Sequence, residues 1–359
     1  MLEKLASIAD RYQELTDALS QPQVTEDLNR FRDLSREQSK LQPLVELFEE
    51  LRQQQKELDE NILISKDTSE DPEIRDMAKA EIPALKESIS QLEENARILL
   101  LPKNPDDEKS IILEIRAGTG GDEAALFVAD LYRMYSRFAE QNRWKVEVIE
   151  SHATGIGGFK EISVSIEGKD VYGQLKFEAG THRVQRVPST ETQGRVHTSA
   201  VTVAVLPEAD DIEIEINPAD LRVDTYRAQG AGGQHVNTTD SAIRITHVPT
   251  GIVVSCQEER SQHKNRSKAL KHLKAKLYEV QLQQTMDDEA KLRKSMVGSG
   301  DRSERIRTYN YPQGRITDHR IGLTVYRLEE IMGTGEIKEI VESLITSHQA
   351  NLLKTAITH

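Results

Sequence analysis

Only one of the 359 residues is cysteine. A lone thiol, Cys256, excludes an internal disulfide, and no group of Cys and His has metal-ligand spacing, so neither a metal nor a cofactor is expected. That usage fits a reducing cytoplasm. Long apolar runs are missing as well: nothing approaches the roughly 20 residues of a membrane span. The opening MLEKLASIADRYQEL is acidic and amphipathic, without an apolar core or a cleavage site. A soluble protein that uses no membrane is expected. Positive charge is in deficit, with 47 Lys and Arg against 60 Asp and Glu and a net charge of -13, which taken alone argues against a nucleic-acid binder. The average conceals a segregation. Residues 1 to 100 carry 23 acids against 13 Lys and Arg, whereas residues 260 to 276 carry 7 Lys and Arg and no acid, with His263 and His272 among them.

The length exceeds one ordinary core and predicts about two to four domains. In the first hundred residues apolar positions recur at three and four residue spacings, as in Leu5, Ile8, Tyr12, Leu15 and Leu19, then Leu44, Phe48, Leu51, Leu58 and Ile62, then Leu85, Ile89, Leu92, Ala96 and Leu99. That is a helical seam. Breaks at Gln21-Pro22, Ser65 to Pro72 and Leu101 to Pro105 divide it into antiparallel helices. From Ser110 the period changes, and strands are predicted over 111–115, 145–150, 161–166, 172–178 and 200–206, with a helix from Ala124 to about Phe138. The segment 206–211 reads as a linker. Beyond it strands are predicted over 212–216, 221–226, 242–247 and 252–256, then a basic helix from about Ser261 to Met286 and a Gly and Ser hinge at Val297 to Gly300. The tail from Arg305 reads as basic and turn-rich, ending in an amphipathic helix near Ile337 to Leu353. The fold class is α+β and multidomain.

Between the strands ending at Tyr226 and starting at Ala242 lies Arg227-Ala228-Gln229-Gly230-Ala231-Gly232-Gly233-Gln234-His235-Val236-Asn237, with three glycines from Gly230 to Gly233. A hairpin needs one or two. From the glycines alone, a flexible surface loop and a loop whose backbone meets a ligand closely both stand. The flanking Arg227 and His235 and the following basic helix favour RNA, whose phosphates such charge would dock. Gly232-Gly233-Gln234 resembles the catalytic tripeptide of the class I peptide chain release factors, and the sequence from Arg222 to Ser267 resembles that family throughout.

The resemblance implies hydrolysis of the peptidyl-tRNA ester in the ribosomal peptidyl transferase centre, with Gly232, Gly233 and Gln234 as the catalytic residues. The backbone amide of Gln234 would meet the developing oxyanion, while its side chain shapes the water pocket. Gln is no general base. The family also implies that Gln234 is carried as N5-methylglutamine. His235, with no carboxylate at a motif spacing, is read as loop or RNA support, and Cys256 as a strand residue. The basic stretch makes Arg260, Lys264, Arg266, Lys268 and Lys271 candidates for ribosomal RNA. Whether a factor that promotes hydrolysis only within the ribosome is an enzyme is left open.

Two further stretches carry the resemblance. In His182-Arg183-Val184-Gln185-Arg186-Val187-Pro188-Ser189-Thr190, Pro188 stiffens a loop whose hydroxyls can read base edges, and His197 in Gly194-Arg195-Val196-His197-Thr198-Ser199 offers a flat ring for stacking. Pro188-Ser189-Thr190 resembles the Pro-x-Thr tripeptide of the bacterial members that read UAA and UAG. By that resemblance Thr190 meets the first two bases, His197 stacks beside the second, and Gln185 and Thr198 contact the third; Ser189 fills the variable position. The turn Ala117 to Glu123 would place Gly120 and Glu123 at the first base.

The family's architecture is implied with it: a helical domain 1–105, a codon-recognition domain 106–211, a catalytic domain 212–290, and a hinge with C-terminal segment 291–359 that packs with the codon-recognition domain. Implied partners are both ribosomal subunits, the mRNA stop codon, peptidyl-tRNA and ribosomal RNA, a glutamine methyltransferase and the recycling GTPase release factor. A monomer is expected. The rival readings are a codon-independent ribosome-rescue peptidyl-tRNA hydrolase and a non-catalytic RNA-binding protein.

Overall fold

The computed structural model describes residues 2–22, 24, 27–69, 71–101, 104–188, 194–209, 214, 216–227, 240–259, 261–298 and 300–358. They form two compact units, Met1–Asn104 with Ser343–His359, and Pro105–Glu342.

The first unit is helical. Helices α1 (Leu2–Leu19), α2 (Leu28–Lys66) and α3 (Pro72–Leu99) follow the breaks read from the sequence. Their starts have local causes: the Asp27 carboxylate accepts from the amides of Asn29 and Arg30, and Asp71 accepts from that of Glu73 with Pro72 in the first turn. The seam residues Leu5, Leu15, Leu51, Leu58, Ile89 and Ala96 are buried. Full burial of each Leu or Ile contributes about 1.5–3 kcal/mol. Pro43 and Pro83 sit inside α2 and α3, although an interior proline forfeits a helix hydrogen bond.

The second unit is built on an eight-stranded sheet in the order β11-β10-β9-β4-β5-β1-β3-β2. Its strands are β1 (Ile111–Ala117), β2 (Lys145–Ala153), β3 (Phe159–Glu167), β4 (Gly180–Arg186), β5 (His197–Pro207), β9 (Arg305–Asn310), β10 (Arg315–Asp318) and β11 (Leu323–Val325). All pairings are antiparallel except β4 with β9, so the C-terminal strands extend the sheet through one parallel seam. Eight consecutive residues of β5, from Ser199 to Leu206, are buried, as in a strand covered on both faces. Helix α4 (Asp122–Gln141) lays Phe127, Val128, Leu131, Met134, Tyr135 and Phe138 into the core at helical spacing. A smaller sheet, β6 (Leu221–Tyr226), β7 (Ala242–His247) and β8 (Ile252–Cys256), packs Ile243, Ile245, Val254 and Cys256 against Ala269 and Leu273 of helix α6 (Gln262–Val297). Cys256 is thus a core strand residue.

Several elements differ from the sequence expectation. The segment 172–178 is no strand: it forms a short helix α5 (Val171–Leu175) and a 3-10 turn Lys176–Glu178. Val171, Tyr172, Leu175 and Glu178 are the buried positions, a helical spacing that short runs conceal. Helix α6 runs past Met286 to Val297, because Glu289 to Lys294 are good helix formers and the stop comes only at Gly298, at φ +58°. The tail, read as turn-rich, carries β9 to β11 and a short helix α7 (Leu328–Thr334) before the expected last helix, α8 (Lys338–Thr358). The strand expected over 212–216 falls mostly outside the described residues, and its described members Ile214 and Ile216 lie in no strand.

A buried ionic cluster fastens the C-terminal strands. Arg307 on β9 donates to both carboxylate oxygens of Glu178 at 2.5 and 2.7 Å and to Asp318 at 3.1 Å, and Tyr135 donates to Glu178 at 2.8 Å. Burial opposes ionisation of Glu178, but Arg307 outweighs it and holds its pKa below the ordinary carboxylate value. Removing one partner of such a pair costs about 3–5 kcal/mol, so the cluster specifies where β9 sits more than it adds stability.

Candidate nucleic-acid interface

The turn Gly118–Gly121 is docked on β5: the Gly118 amide donates to the Ala200 carbonyl at 2.9 Å and the Ala200 amide to that of Thr119 at 2.7 Å. Gly120 lies at φ +139°, and a Cβ there would drive into the Ser199 side chain. Only glycine meets both demands. Ser199 adjoins Thr198, which stands directly across from Gln185 in the β4–β5 ladder, while His197 stands across from Arg186. The sequence-predicted Gly120, Gln185, His197 and Thr198 are therefore gathered at one end of the β4–β5 pair. His197 is exposed, and the Gln185 side-chain carbonyl accepts from Asn310 at 3.2 Å. Pro188 is buried two residues past β4, and Ser189 and Thr190 lie outside the described residues.

Glu123 is placed differently from its neighbours. It is 3 % exposed, and its carboxylate faces inward, accepting a short hydrogen bond from Nε of Arg186. Arg186 also donates to Asp130 at 2.6 Å and lies over the rings of Tyr311 and Phe127 at 5.2 and 6.0 Å. Burial disfavours the guanidinium charge, but the bonds to Asp130 and Glu123 outweigh it and hold the pKa above its usual value. The side chain of Glu123 is thus occupied, and what it can offer outward is the backbone amide of the first helical turn, which helix geometry leaves unpaired. The sequence signal for Arg186 is limited to its place beside Gln185 in the stretch His182 to Thr190.

His182, also on β4, is fully buried. Its Nε2 lies 2.9 Å from the Glu178 carbonyl, which can only accept, so Nε2 carries the proton and Nδ1 accepts from the Tyr309 hydroxyl at 3.2 Å. Burial, reinforced by the Arg307 charge, lowers its pKa to about 4.

Gly232, Gly233, Gln234 and His235 lie outside the described residues, as does Arg260. Their flanks are described. Tyr226 and Ala242 close the loop as cross-strand partners, with Arg227 and Asp240 3.5 Å apart beside them. Behind the stem, buried Asn265 donates to the carbonyls of Ser241 and Glu259, both at 2.8 Å, and accepts from the Glu259 amide at 3.0 Å. One side chain thereby ties α6 to the end of the loop and to the chain after β8. An Asn within a basic run gave no signal of this. Along α6, Lys264, Arg266 and Lys271 are exposed, whereas Lys268 is engaged by Glu258 at 3.2 Å and Glu259 at 2.9 Å. Among the described residues no group of three or more His, Cys, Asp or Glu could hold a metal ion, and no helix is long and apolar enough to cross a membrane.

A glycine turn, a strand pair with polar side chains facing its end, and a separate small sheet with a cationic helix together define a multidomain α+β protein with surfaces suited to RNA. The PCRF domain model matches residues 8–203 and the RF-1 domain model residues 210–320. Relatives called peptide chain release factor 1 are 58% identical in Geotalea uraniireducens (strain Rf4), over 99% of this chain and 98% of theirs, and 54% identical in Sulfurovum sp. (strain NBC37-1), over 99% of both. A third, from Geobacter sulfurreducens, is 57% identical over 99% of this chain and 98% of its own. A solved structure, RF2 of Thermus thermophilus, aligns with a TM-score of 0.48 at 32% identity over 99% of each chain. The chain belongs to the peptide chain release factor family, of the release factor 1 type. Membership carries with it interaction with the ribosome and tRNA.

Proposed function

We propose that this chain terminates translation by recognising UAA and UAG in the ribosomal A site and triggering hydrolysis of the peptidyl-tRNA ester. The observation that carries the reading is the full-length similarity to release factor 1 proteins together with the gathering of Gly120, Gln185, His197 and Thr198 at one end of β4 and β5. A codon-independent rescue hydrolase needs no such surface and is not favoured.

In this reading water attacks the ester carbonyl carbon, the peptide leaves as a carboxylic acid, and the proton passes to the 3′ oxygen of tRNA. Gly232 and Gly233 let the backbone approach, the Gln234 amide meets the oxyanion, and its side chain, as N5-methylglutamine, gates water. Ser189 and Thr190 complete the codon surface, with the exposed His197 stacking on a base and the Glu123 amide, rather than its carboxylate, facing the first base. Arg260, Lys264, Arg266 and Lys271 dock ribosomal RNA, with Lys268 a weaker contributor. The four-part division at about 105, 211 and 290, the cytoplasmic monomer, the glutamine methyltransferase and the recycling GTPase belong to the same proposal, as does rearrangement of about 289–305 when a codon is read.

The test is release of labelled formyl-methionine from ribosomes programmed with UAA, UAG, UGA or a sense codon. Release is expected on UAA and UAG alone; release on every codon would restore the rescue reading. Gln234→Ala and Gly233→Ala should bind ribosomes while release falls, more severely for the glycine change because it restricts the backbone. Unaltered release in both variants would point to an RNA binder with a passive loop.

A further inference from the structure

The codon-facing set rests on two elements of separate origin. One is the Gly118–Gly121 turn with the start of α4; the other is the β4–β5 end that carries Gln185, His197 and Thr198. One side chain joins them. Arg186 stands beside Gln185 on β4, opposite His197, and its guanidinium reaches Glu123 in the first turn of α4 and Asp130 two turns further on. Its faces are covered by Phe127 of α4 and by Tyr311, whose amide donates to the Gln185 carbonyl at 3.0 Å.

We propose that Arg186 is a positioning residue for codon recognition: it fixes the Gly120 turn against the end of β4, so that the surfaces meeting the first and third bases keep one register. The proposal rests on reading these surfaces as codon-facing, and goes beyond it by naming what couples them. Among the described residues Glu123 has no other ion-pair partner, and its second carboxylate oxygen is buried with no hydrogen bond. Without Arg186, Glu123 is a buried uncompensated charge that must move toward water, and it opens the helix that begins at the turn. A lysine cannot replace the fork, because a single ammonium lacks the planar donor pair that serves two carboxylates between two rings.

Full-length Arg186→Ala, Arg186→Lys, Asp130→Asn and His197→Ala are compared in codon-programmed release, reading the half-saturating factor concentration and the rate at saturation separately. Arg186→Ala should raise the half-saturating concentration on UAA and UAG by about tenfold or more while the saturated rate stays within about twofold. Arg186→Lys and Asp130→Asn should give smaller rises, and Asp130→Asn carries the test if the alanine variant does not fold. Release on near-cognate sense codons should rise relative to UAA, which a merely structural loss would not produce. The proposal is overturned if the Arg186 and Asp130 variants keep the wild-type half-saturating concentration while His197→Ala raises it, or if only the saturated rate falls. Silence of His197→Ala as well would remove the codon-facing reading itself.

Discussion

His182 is a histidine that the fold keeps neutral. It is fully buried, its Nε2–H is committed to the Glu178 carbonyl, and the neighbouring Arg307 charge leaves no room for a second cation. Its folded pKa of about 4 lies below the ordinary 6.5, so between those values the unfolded chain binds a proton that the folded chain does not. Stability from this residue is fully present above about pH 6.5 and is lost as pH falls toward 4, by at most about 3 kcal/mol. The single tryptophan, Trp144, is buried edge-to-face against Phe138 in the same unit and reports its unfolding by fluorescence. Urea midpoints taken from pH 7.5 to 4.5 should fall in the wild type and fall less in His182→Gln. Parallel curves would mean that the imidazole titrates freely in the folded state. The Glu178 contribution is separable, since a carboxylate with a depressed pKa loses its stabilisation only below the ordinary carboxylate range.

At the scale of elements, regular periodicity was legible and local exceptions were not. The seam of α1 to α3 and the bounds of β6, β7 and β8 could be read because alternation and helical spacing persist there over several residues. The run 172–178 alternates too, but five to seven residues fit either period, and the pull of buried Val171 and Leu175 decided for a helix. Strand β4 was hidden inside a stretch read for its motif, and β9 found its place through Arg307, whose carboxylate partners Glu178 and Asp318 are 129 and 11 residues away in sequence. Long-range ionic pairing leaves no periodic trace. The same limit applied to the candidate site: glycine and proline announced turns, while Arg186, bonded to Glu123 and Asp130, and Asn265, bonded to Ser241 and Glu259, have no pattern of their own.

Asn265 makes that limit testable. Asn265→Ala removes two donors and an acceptor and leaves the Ser241 and Glu259 carbonyls without their partner, at about 1–3 kcal/mol for the buried Ser241 carbonyl and less for the part-buried Glu259 carbonyl. The small sheet should loosen at the stem of the glycine loop while the codon surface on β4 and β5 is untouched. Release at saturating factor should therefore slow, with the half-saturating concentration near that of the wild type, the reverse of the pattern expected for Arg186→Ala. A variant that changes only the half-saturating concentration would show that Asn265 does not act through the loop.

Across the whole molecule, a net charge of -13 has to coexist with binding to a polyanion. Segregation resolves the conflict, since screening at physiological salt confines each charged region to about 8 Å. Affinity for ribosomes should fall steeply with salt, because each phosphate neutralised releases condensed counterions. Alanine at Lys264, Arg266 or Lys271 should lower the slope of log affinity against log salt by about 0.7–0.9 per residue and weaken binding to all codon-programmed ribosomes alike. Lys268→Ala should change the slope less, because Glu258 and Glu259 already neutralise that ammonium in the free protein. Equal effects at all four positions would mean that the Lys268 pairs open on binding; no effect at Lys264, Arg266 and Lys271 would mean that α6 faces away from RNA.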